Sequence, residues 1–580
     1  MYTLGINAAF HDPAACLVRD GEVLAAAEEE RFTKIKHGKR PVPFSAWELP
    51  FHAIDFCLAK AGIGLCDVQH VGYSFQPSQL LGSRSDDAAI EIPLHPARYP
   101  SETGGRNPWE PLFLSHVANA PRQLADGAPL HLAKRFQGIC WDRPHEWHFE
   151  DHHECHAASA FLASPYQEAA VLCLDGRGER ATTTYWHGSG ATLRPLGRVE
   201  LPHSLGLLYE DLTHYLGFLR SSDEYKVMAL ASYGAPTFAD EFRRMIRVGE
   251  RGAYTIEPAE LERRFGPARA RGGAVEQRHF DLARSLQLVL EETVIELARW
   301  LREETGARYL CMAGGVALNC VMNARLRDAG IFDDVWVQPA SGDSGTALGA
   351  ALLVDVRERQ ATSHGTMNHA YLGPSFDDEE IEKFLQWSKL PYRKVEDVAE
   401  VTAGLLAENK VIGWFQGAME FGPRALGARS ILASPIEAAM QARLNDLKDR
   451  EDFRPVAPAV VEEEAGKWFA GAQVAPYMLF VFDVKPEAAD RIPAVRHVDG
   501  TARVQTVRRD QNPRYYDLLR AFQKRTGVPV LVNTSFNTRG EPIVCTPRDA
   551  VESFWTSPLD ALAIGSFLVE KPAQATLEAR

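Results

Sequence analysis

Tyr309-Leu310-Cys311-Met312-Ala313-Gly314-Gly315-Val316-Ala317-Leu318-Asn319 is the stretch that sets the fold class. The apolar run 309–313 suits a buried strand, and the glycine pair marks a tight turn into a helix predicted over Val316–Leu326. Just upstream, Phe280–Glu303 carries apolar residues at helical spacing. Just downstream, Val335–Gln338 reads as a strand and Ser341-Gly342-Asp343-Ser344-Gly345 as a second glycine loop. An alanine-rich helix then runs to about Val354. Strand, glycine loop and helix in alternation predict an α/β protein with a parallel or mixed sheet.

Toward the N-terminus the pattern changes. Thr3–Ala9 and Ala14–Val18 are apolar, Asp20-Gly21 is a hairpin turn signal, and Val23–Ala27 is apolar again. AAVLCLDGRGE at 169–179, followed by ATTTYWHGSGATLRP at 181–195, repeats strand, polar turn and strand. The repetition predicts an internal duplication. Trp47–Ala61 has helical spacing. The polar segment Arg357–Leu372 places a domain boundary, giving domains 1–360 and 370–580. In the second, Val401–Asn409 and Tyr515–Gln523 read as helices, and Val411–Phe415 and Val528–Val532 as strands.

The whole-chain numbers narrow the class. A length of 580 residues calls for at least two cores at roughly 150 residues per domain. Hydrophobic residues at 45% exclude a disordered chain, and glycine without a three-residue period excludes collagen. The net charge of −14 argues against tracking a nucleic-acid backbone, though not against a local cationic pocket. Nine scattered cysteines without a CxxC pair argue against a disulfide framework or structural zinc, and for a reducing, cytoplasmic compartment. No apolar run approaches the ~18 residues of a membrane span.

Three sets of residues could carry chemistry. In Asp151-His152-His153-Glu154-Cys155-His156, the i, i+4 pair His152 and His156 would share a helix face, as metal ligands or as surface histidines behind an Asp151 cap. Asp175 and Asp343 stand in glycine-rich turns at strand ends, as further ligands or as helix caps. Two His and two Asp suit Fe(II), Mn(II) or Zn(II) better than Mg(II) or Ca(II). Gly314, Gly315 and Asn319 open a helix and could receive a phosphate, or simply turn the chain. The chain has neither a P-loop nor a GxGxxG fingerprint. The third set is cationic: GPRALGARS at 422–430, KDREDFRPVAP at 448–458 and NTSFNTRGEP at 533–542. Arginine forks with Asn and Ser donors fit an oxyanion, whereas isolated arginines would only form surface ion pairs.

These strings, in order along nearly the whole chain, resemble the NodU/CmcH-type carbamoyltransferases, the family of the tobramycin and cephalosporin O-carbamoyltransferases. The resemblance also rests on GINAAFHDPAACLVRDG near the N-terminus and EEERFTKIKHG after it. It implies an N-terminal, duplicated actin-like (ASKHA) domain similar to the threonylcarbamoyl-transfer enzymes, and a C-terminal YrdC-like α/β domain. It further implies an ATP-dependent O-carbamoyltransferase of antibiotic or other natural-product tailoring. Carbamoyl phosphate would become carbamoyl adenylate in the second domain, and the carbamoyl group would pass to a hydroxyl of a small-molecule acceptor in the first.

By the same resemblance the metal ligands are His152, His156, Asp175 and Asp343, with iron(II) the first choice and Mn(II) or Zn(II) as alternatives. His11 would orient the carbamoyl group or take the acceptor's proton. Gly314, Gly315, Asn319 and Lys39, with Arg40 beside it, would meet the nucleotide, which arrives with Mg(II). Arg424, Lys448 and Arg454 would act on carbamoyl phosphate, helped by Asn533, Ser535, Arg429 and Arg450. The unstable intermediate calls for a closed route between the domains. The less family-like stretches 73–144 and 247–273 are the expected acceptor-recognition segments. Expected partners are carbamoyl phosphate and a hydroxylated small molecule, with neither nucleic acid nor membrane, on a monomer or homodimer. Two competing readings are a tRNA threonylcarbamoylation-type enzyme and a nucleotide-binding actin-like sensor or scaffold.

Overall fold

The structure, a computed structural model, describes residues 1–38, 49–81, 117–126, 145–472, 474–538 and 540–571. It divides into two compact units, Met1–Asn368 and His369–Arg580.

In the first unit the N-terminal hairpin signal forms a meander. β1 (Tyr2–Asn7), β2 (Ala14–Arg19) and β3 (Glu22–Glu28) pair antiparallel. β4 (His70–Tyr73) and β5 (Glu146–Phe149) then continue the sheet in parallel with β1, in the order β3-β2-β1-β4-β5. The second half repeats this plan. β6 (Glu168–Leu174), β7 (Ala181–Ser189) and β8 (Thr192–Glu200) form the meander. A small ribbon, β9 (Ile246–Val248) with β10 (Tyr254–Ile256), intervenes. β11 (Tyr309–Ala313) and β12 (Asp334–Val337) then add in parallel to give β12-β11-β6-β7-β8. Read from β8, the strand sequence matches that of the first sheet, so the repeated hairpin is the trace of a duplicated five-stranded order.

The helix Ser344–Glu358 packs on β1, β2 and β4 and on the helix His152–Phe161. Its small residues permit that closeness: a Cβ at Gly349 would lie 1.8 Å from the carbonyl oxygen of Cys155. The long predicted helix runs from Gln277 to Thr305 and closes on Gly306 in the left-handed conformation. One expectation needs correction. The helix expected over Val316–Leu326 is broken: a 3₁₀ turn, Gly315–Leu318, precedes a helix Cys320–Asp328. Asn319 makes the break because its side chain accepts from Met322 N and caps the second helix.

The second unit is built on an eight-stranded mixed sheet, β13-β22-β21-β14-β15-β20-β16-β19. In chain order these are β13 (Tyr392–Lys394), β14 (Ile412–Phe415), β15 (Arg429–Ala433), β16 (Ala457–Val461), β19 (Gln505–Val507), β20 (Val530–Ser535), β21 (Ala561–Ile564) and β22 (Phe567–Glu570). A ribbon of β17 (Val481–Asp483) and β18 (Thr501–Arg503) stands apart. Only the β14–β21 and β16–β19 pairs are parallel. Helices Val398–Ala407 and Pro513–Thr526 pack together beside a core that includes Trp414, Phe415, Tyr515 and Phe522. Among the described residues no helix is long and apolar enough to cross a membrane.

Candidate functional site

The helix His152–Phe161 starts because Asp151 accepts from Glu154 N at 2.8 Å. The buried carboxylate of Glu179 adds a second cap, accepting from His152 N at 3.1 Å. Helical spacing then sets the rings of His152 and His156 4.7 Å apart, centroid to centroid, on one face. The His152 Nδ1–H donates to the carbonyl of Ser74 at 3.2 Å, which turns Nε2 inward. Asp175 follows β6; its Oδ1 accepts from Gly315 N at 2.7 Å, leaving Oδ2 to face the histidines. Asp343 follows β12 and makes no capping bond to the helix it precedes.

These four side chains converge. His152 Nε2 lies 3.9 Å from Asp175 Oδ2 and 3.6 Å from Asp343 Oδ1; His156 Nε2 lies 4.0 and 3.7 Å from the same atoms. Asp175 is 6% exposed, and the other three are 0–1%. Among the described residues, His152 Nε2, His156 Nε2 and Asp343 Oδ1 have no hydrogen-bond partner. Burial works against a charged His152 ring, but the carboxylates of Asp343 and Asp175 push it up to about 9. Burial likewise opposes the Asp343 charge, and His11 and His152 hold its carboxyl well below the usual range. Two imidazole nitrogens and two carboxylates, each within 4.8 Å of the others, form a donor set that could hold a metal ion.

His11 stands beside this cluster in the β1–β2 turn, its Nε2 3.7 Å from Asp343 Oδ2. On the other side of the ring, Nδ1 lies 2.9 Å from Asp12 Oδ2. Burial alone would raise the Asp12 carboxyl, but His37 and His11 hold it well below its ordinary value.

The glycine loop departs from expectation. The Gly314 N–H donates to Ser341 O at 2.7 Å, and the Gly315 N–H is committed to Asp175. The Asn319 amide donates to Gln287 at 2.8 Å while its oxygen caps a helix. The groups expected to meet a phosphate therefore serve the fold and the orientation of Asp175. Gly314 has φ +95°, and a Cβ there would lie 2.1 Å from Leu174 O, so only glycine fits. Lys39 and Arg40 lie outside the described residues, as do most of the expected acceptor segment 73–144. In the other acceptor segment, Arg264 is paired with Glu241 and Glu257.

In the second unit the three cationic strings meet. β15 and β20 pair Ser430 with Ser535, Asn533 donates to Ala425 O at 3.2 Å, and Lys448 reaches across to Ser535. Lys448 Nζ donates to Ser535 O at 2.5 Å and to Asn537 Oδ1 at 2.7 Å. Asn533 is buried and also donates to Gln505 at 2.8 Å. Arg450 Nε donates to Asn445 at 2.6 Å, and Arg454 lies 3.6 Å from Glu451. Arg424 is half-buried in the loop before β15.

Arg429 overturns its expected role. It is fully buried, stacked 3.7 Å above the Phe415 ring, and donates to the carbonyls of Pro374, Gln416, Gly417 and Ala428. Burial pushes it down to about 10. Its two amino groups clamp the fold, committed to backbone carbonyls.

Models of the carbamoyltransferase N-terminus and C-terminus match residues 2–81 with 127–352, and 403–571. The chain belongs to the carbamoyltransferase family. It is 41% identical to the Synechocystis protein sll1178, over all of this chain and 98% of that one. It is 40% identical to nodulation protein NolNO of Sinorhizobium fredii, over 97% of this chain and 80% of the relative. Among solved structures, full-length HypF in its phosphate- and nucleotide-bound form covers 63% of this chain and 56% of its own, at TM-score 0.36 and 12% identity. This carbamoyltransferase is therefore an enzyme of carbamoyl transfer.

Sequence reasoning passed over the two acids and the amide that arrange these centres. Glu179 caps the histidine helix. Glu420 accepts from Leu426 N at 2.6 Å and Ala428 N at 2.8 Å, shaping the loop around Arg424. Asn445 donates to the carbonyls of Asp452 and Arg454 at 3.1 Å each, folding the 448–454 segment. The available signal was a lone carboxylate or amide beside a glycine-rich turn, which is common in loops.

Proposed function

We propose that this carbamoyltransferase is ATP-dependent and works in two steps. In the His369–Arg580 unit, which we read as YrdC-like, carbamoyl phosphate loses phosphate to water. The resulting carbamate attacks the α-phosphorus of ATP, bound with Mg(II), and pyrophosphate leaves. Arg424, Lys448 and Arg454 neutralise the dianion, with Ser535 as a neutral donor and Asn533 and Arg450 holding the loops. In the Met1–Asn368 unit the acceptor hydroxyl oxygen forms a bond to the carbamoyl carbon. Its proton passes to His11 Nε2, and the bond to AMP breaks. A divalent metal held by His152, His156, Asp175 and Asp343, iron(II) by preference, would supply Lewis-acid polarisation of the carbamoyl oxygen. The acceptor is a hydroxylated natural product, and the enzyme works in the cytoplasm.

The observation that carries the reading is the buried set of two histidines and two aspartates, beside His11, in a chain of this family. The test is to incubate the protein with ATP, Mg(II) and carbamoyl phosphate, and to follow AMP and pyrophosphate with and without a panel of hydroxylated acceptors. Carbamoyl-phosphate-dependent pyrophosphate release and acceptor-dependent AMP are the expected results. ATP turnover indifferent to carbamoyl phosphate would sink the adenylate route.

A further inference from the structure

His11 does not hang freely in its turn; a string of polar contacts runs from it through Asp12 and His37 to Ser222. His11 Nδ1 lies 2.9 Å from Asp12 Oδ2, and His37 Nδ1 lies 2.8 Å from Asp12 Oδ1. His37 Nε2 lies 3.1 Å from the hydroxyl of Ser222. The chemistry of these atoms sets the direction of every bond. An ionised carboxylate only accepts, so both Nδ1 atoms carry protons. With both rings neutral, His37 Nε2 accepts from Ser222 and His11 Nε2 carries its lone pair on the side of Asp343, 3.7 Å away.

The backbone is shaped for this arrangement. Asp12 has φ +50° and His37 φ +59°, left-handed conformations that non-glycine residues adopt at a cost. Asp12 N donates to His37 O at 3.2 Å, so the two turns are tied by main chain as well as side chain. Buried Asn7 donates to the carbonyls of His11 and Asp12 at 2.9 and 3.0 Å, and His37 N donates to Glu30 at 2.7 Å. The string begins in the first half of the unit, at the β1–β2 turn, and ends in the second half, ahead of the helix Glu224–Ala231.

We propose that Asp12 and His37 are positioning residues for His11: Asp12 fixes the ring with Nε2 toward the His152–His156–Asp175–Asp343 cluster, and His37, anchored on Ser222, fixes Asp12. The inference rests on the reading that His11 takes the acceptor's proton. It adds how the ring is kept in the tautomer and orientation that such a base needs. The logic is that of a carboxylate behind a catalytic imidazole, extended by one more histidine.

Asp12→Asn is the decisive variant, because asparagine tolerates φ +50° while offering only one acceptor oxygen to two Nδ1–H donors. Transfer turnover should fall about a thousandfold, since an orienting carboxylate behind an imidazole is worth up to about 10⁴ in rate. Acceptor KM should stay within about twofold, and metal content and carbamoyl-phosphate-dependent pyrophosphate release should be retained. His37→Ala should cost about tenfold, and His37→Asn, whose amide N–H can replace Nδ1–H, should recover most of it.

A readout free of turnover separates this inference from the function it rests on. In ¹⁵N-histidine-labelled full-length protein, zinc-loaded if the native metal is paramagnetic, the His11 signal is identified by its loss in His11→Gln. It should show Nδ1 protonated and Nε2 bare, and Asp12→Asn should mix or reverse the two. If no acceptor is carbamoylated but the tautomer behaves in this way, the proposed reaction falls and the positioning stands. A His11 protonated on Nε2 in the wild type, or Asp12→Asn with unchanged tautomer and turnover, overturns the positioning itself.

Discussion

The two polar centres of this carbamoyltransferase differ in what their charged side chains already hold. In the first unit, His152, His156 and Asp343 are buried with ligand atoms that no group among the described residues satisfies. In the second, Lys448 rests on Ser535 and Asn537 and the two Arg429 amino groups on backbone carbonyls, although Arg429 Nε and Asn533 Oδ1 have no partner among the described residues. An unsatisfied buried polar atom costs about 1–3 kcal/mol, so the first centre carries a standing penalty that a bound cation would relieve. In the second the Lys448 ammonium is already bonded, so a dianion that it binds must displace contacts already made. One centre is thus organised ahead of its ligand, while the other has to exchange partners to receive one.

Four substitutions break or sharpen that contrast. The largest effect belongs to His152→Ala, which should abolish metal retention and lower transfer about 10⁴-fold while sparing adenylate formation. Metal analysis alongside both assays checks it, and dialysis against a chelator should copy the variant; equal loss of both steps would erase the division of labour. Next, Lys448→Met should reduce carbamoyl-phosphate-dependent pyrophosphate release about a thousandfold with metal content untouched. An unchanged rate would mean that Lys448 never leaves Ser535.

Arg429→Met should act on folding, costing about 3 kcal/mol in denaturant unfolding because several carbonyls lose their donor at once. A drop in catalysis at full stability would return Arg429 to the anion site. The smallest effect is that of Asp151→Ala, about 1 kcal/mol of stability from a lost helix cap. Glu179 still caps the same helix, so transfer should persist, and a loss of metal here would show that the cap sets ligand spacing.

The sequence was informative where the cause of structure is local. The hairpin at Asp20-Gly21, the tight turn at Gly314 and the shared face of His152 and His156 all follow from neighbours a few residues away. Asp175 and Asp343 were legible because strand ends in α/β sheets gather sites. What stayed hidden depends on distant backbone. Whether Arg429 reaches out to an anion or folds onto Pro374 and Gln416 is decided by strand pairing, and its side-chain type is the same in both cases. Asn319 was read as a ligand contact although asparagine ahead of a helix is a good cap. Glu420 and Glu179 bind N–H groups that no spacing rule connects to them. Asp12 sits next to His11 in the chain, yet its second partner, His37, arrives from another turn.

The closeness at Gly349 bears on which ions the first centre can distinguish. Asp343 leads one helix and His152 and His156 open another, and these helices touch backbone to backbone where Gly349 meets Cys155. The spacing between Asp343 and the two histidines is therefore constrained by main-chain contact, and an ion of larger radius would press against two closely packed helices. Selection by size would in that sense be a property of the scaffold, and a methyl group added at position 349, against the carbonyl of the residue beside His156, should widen the range of ions accepted.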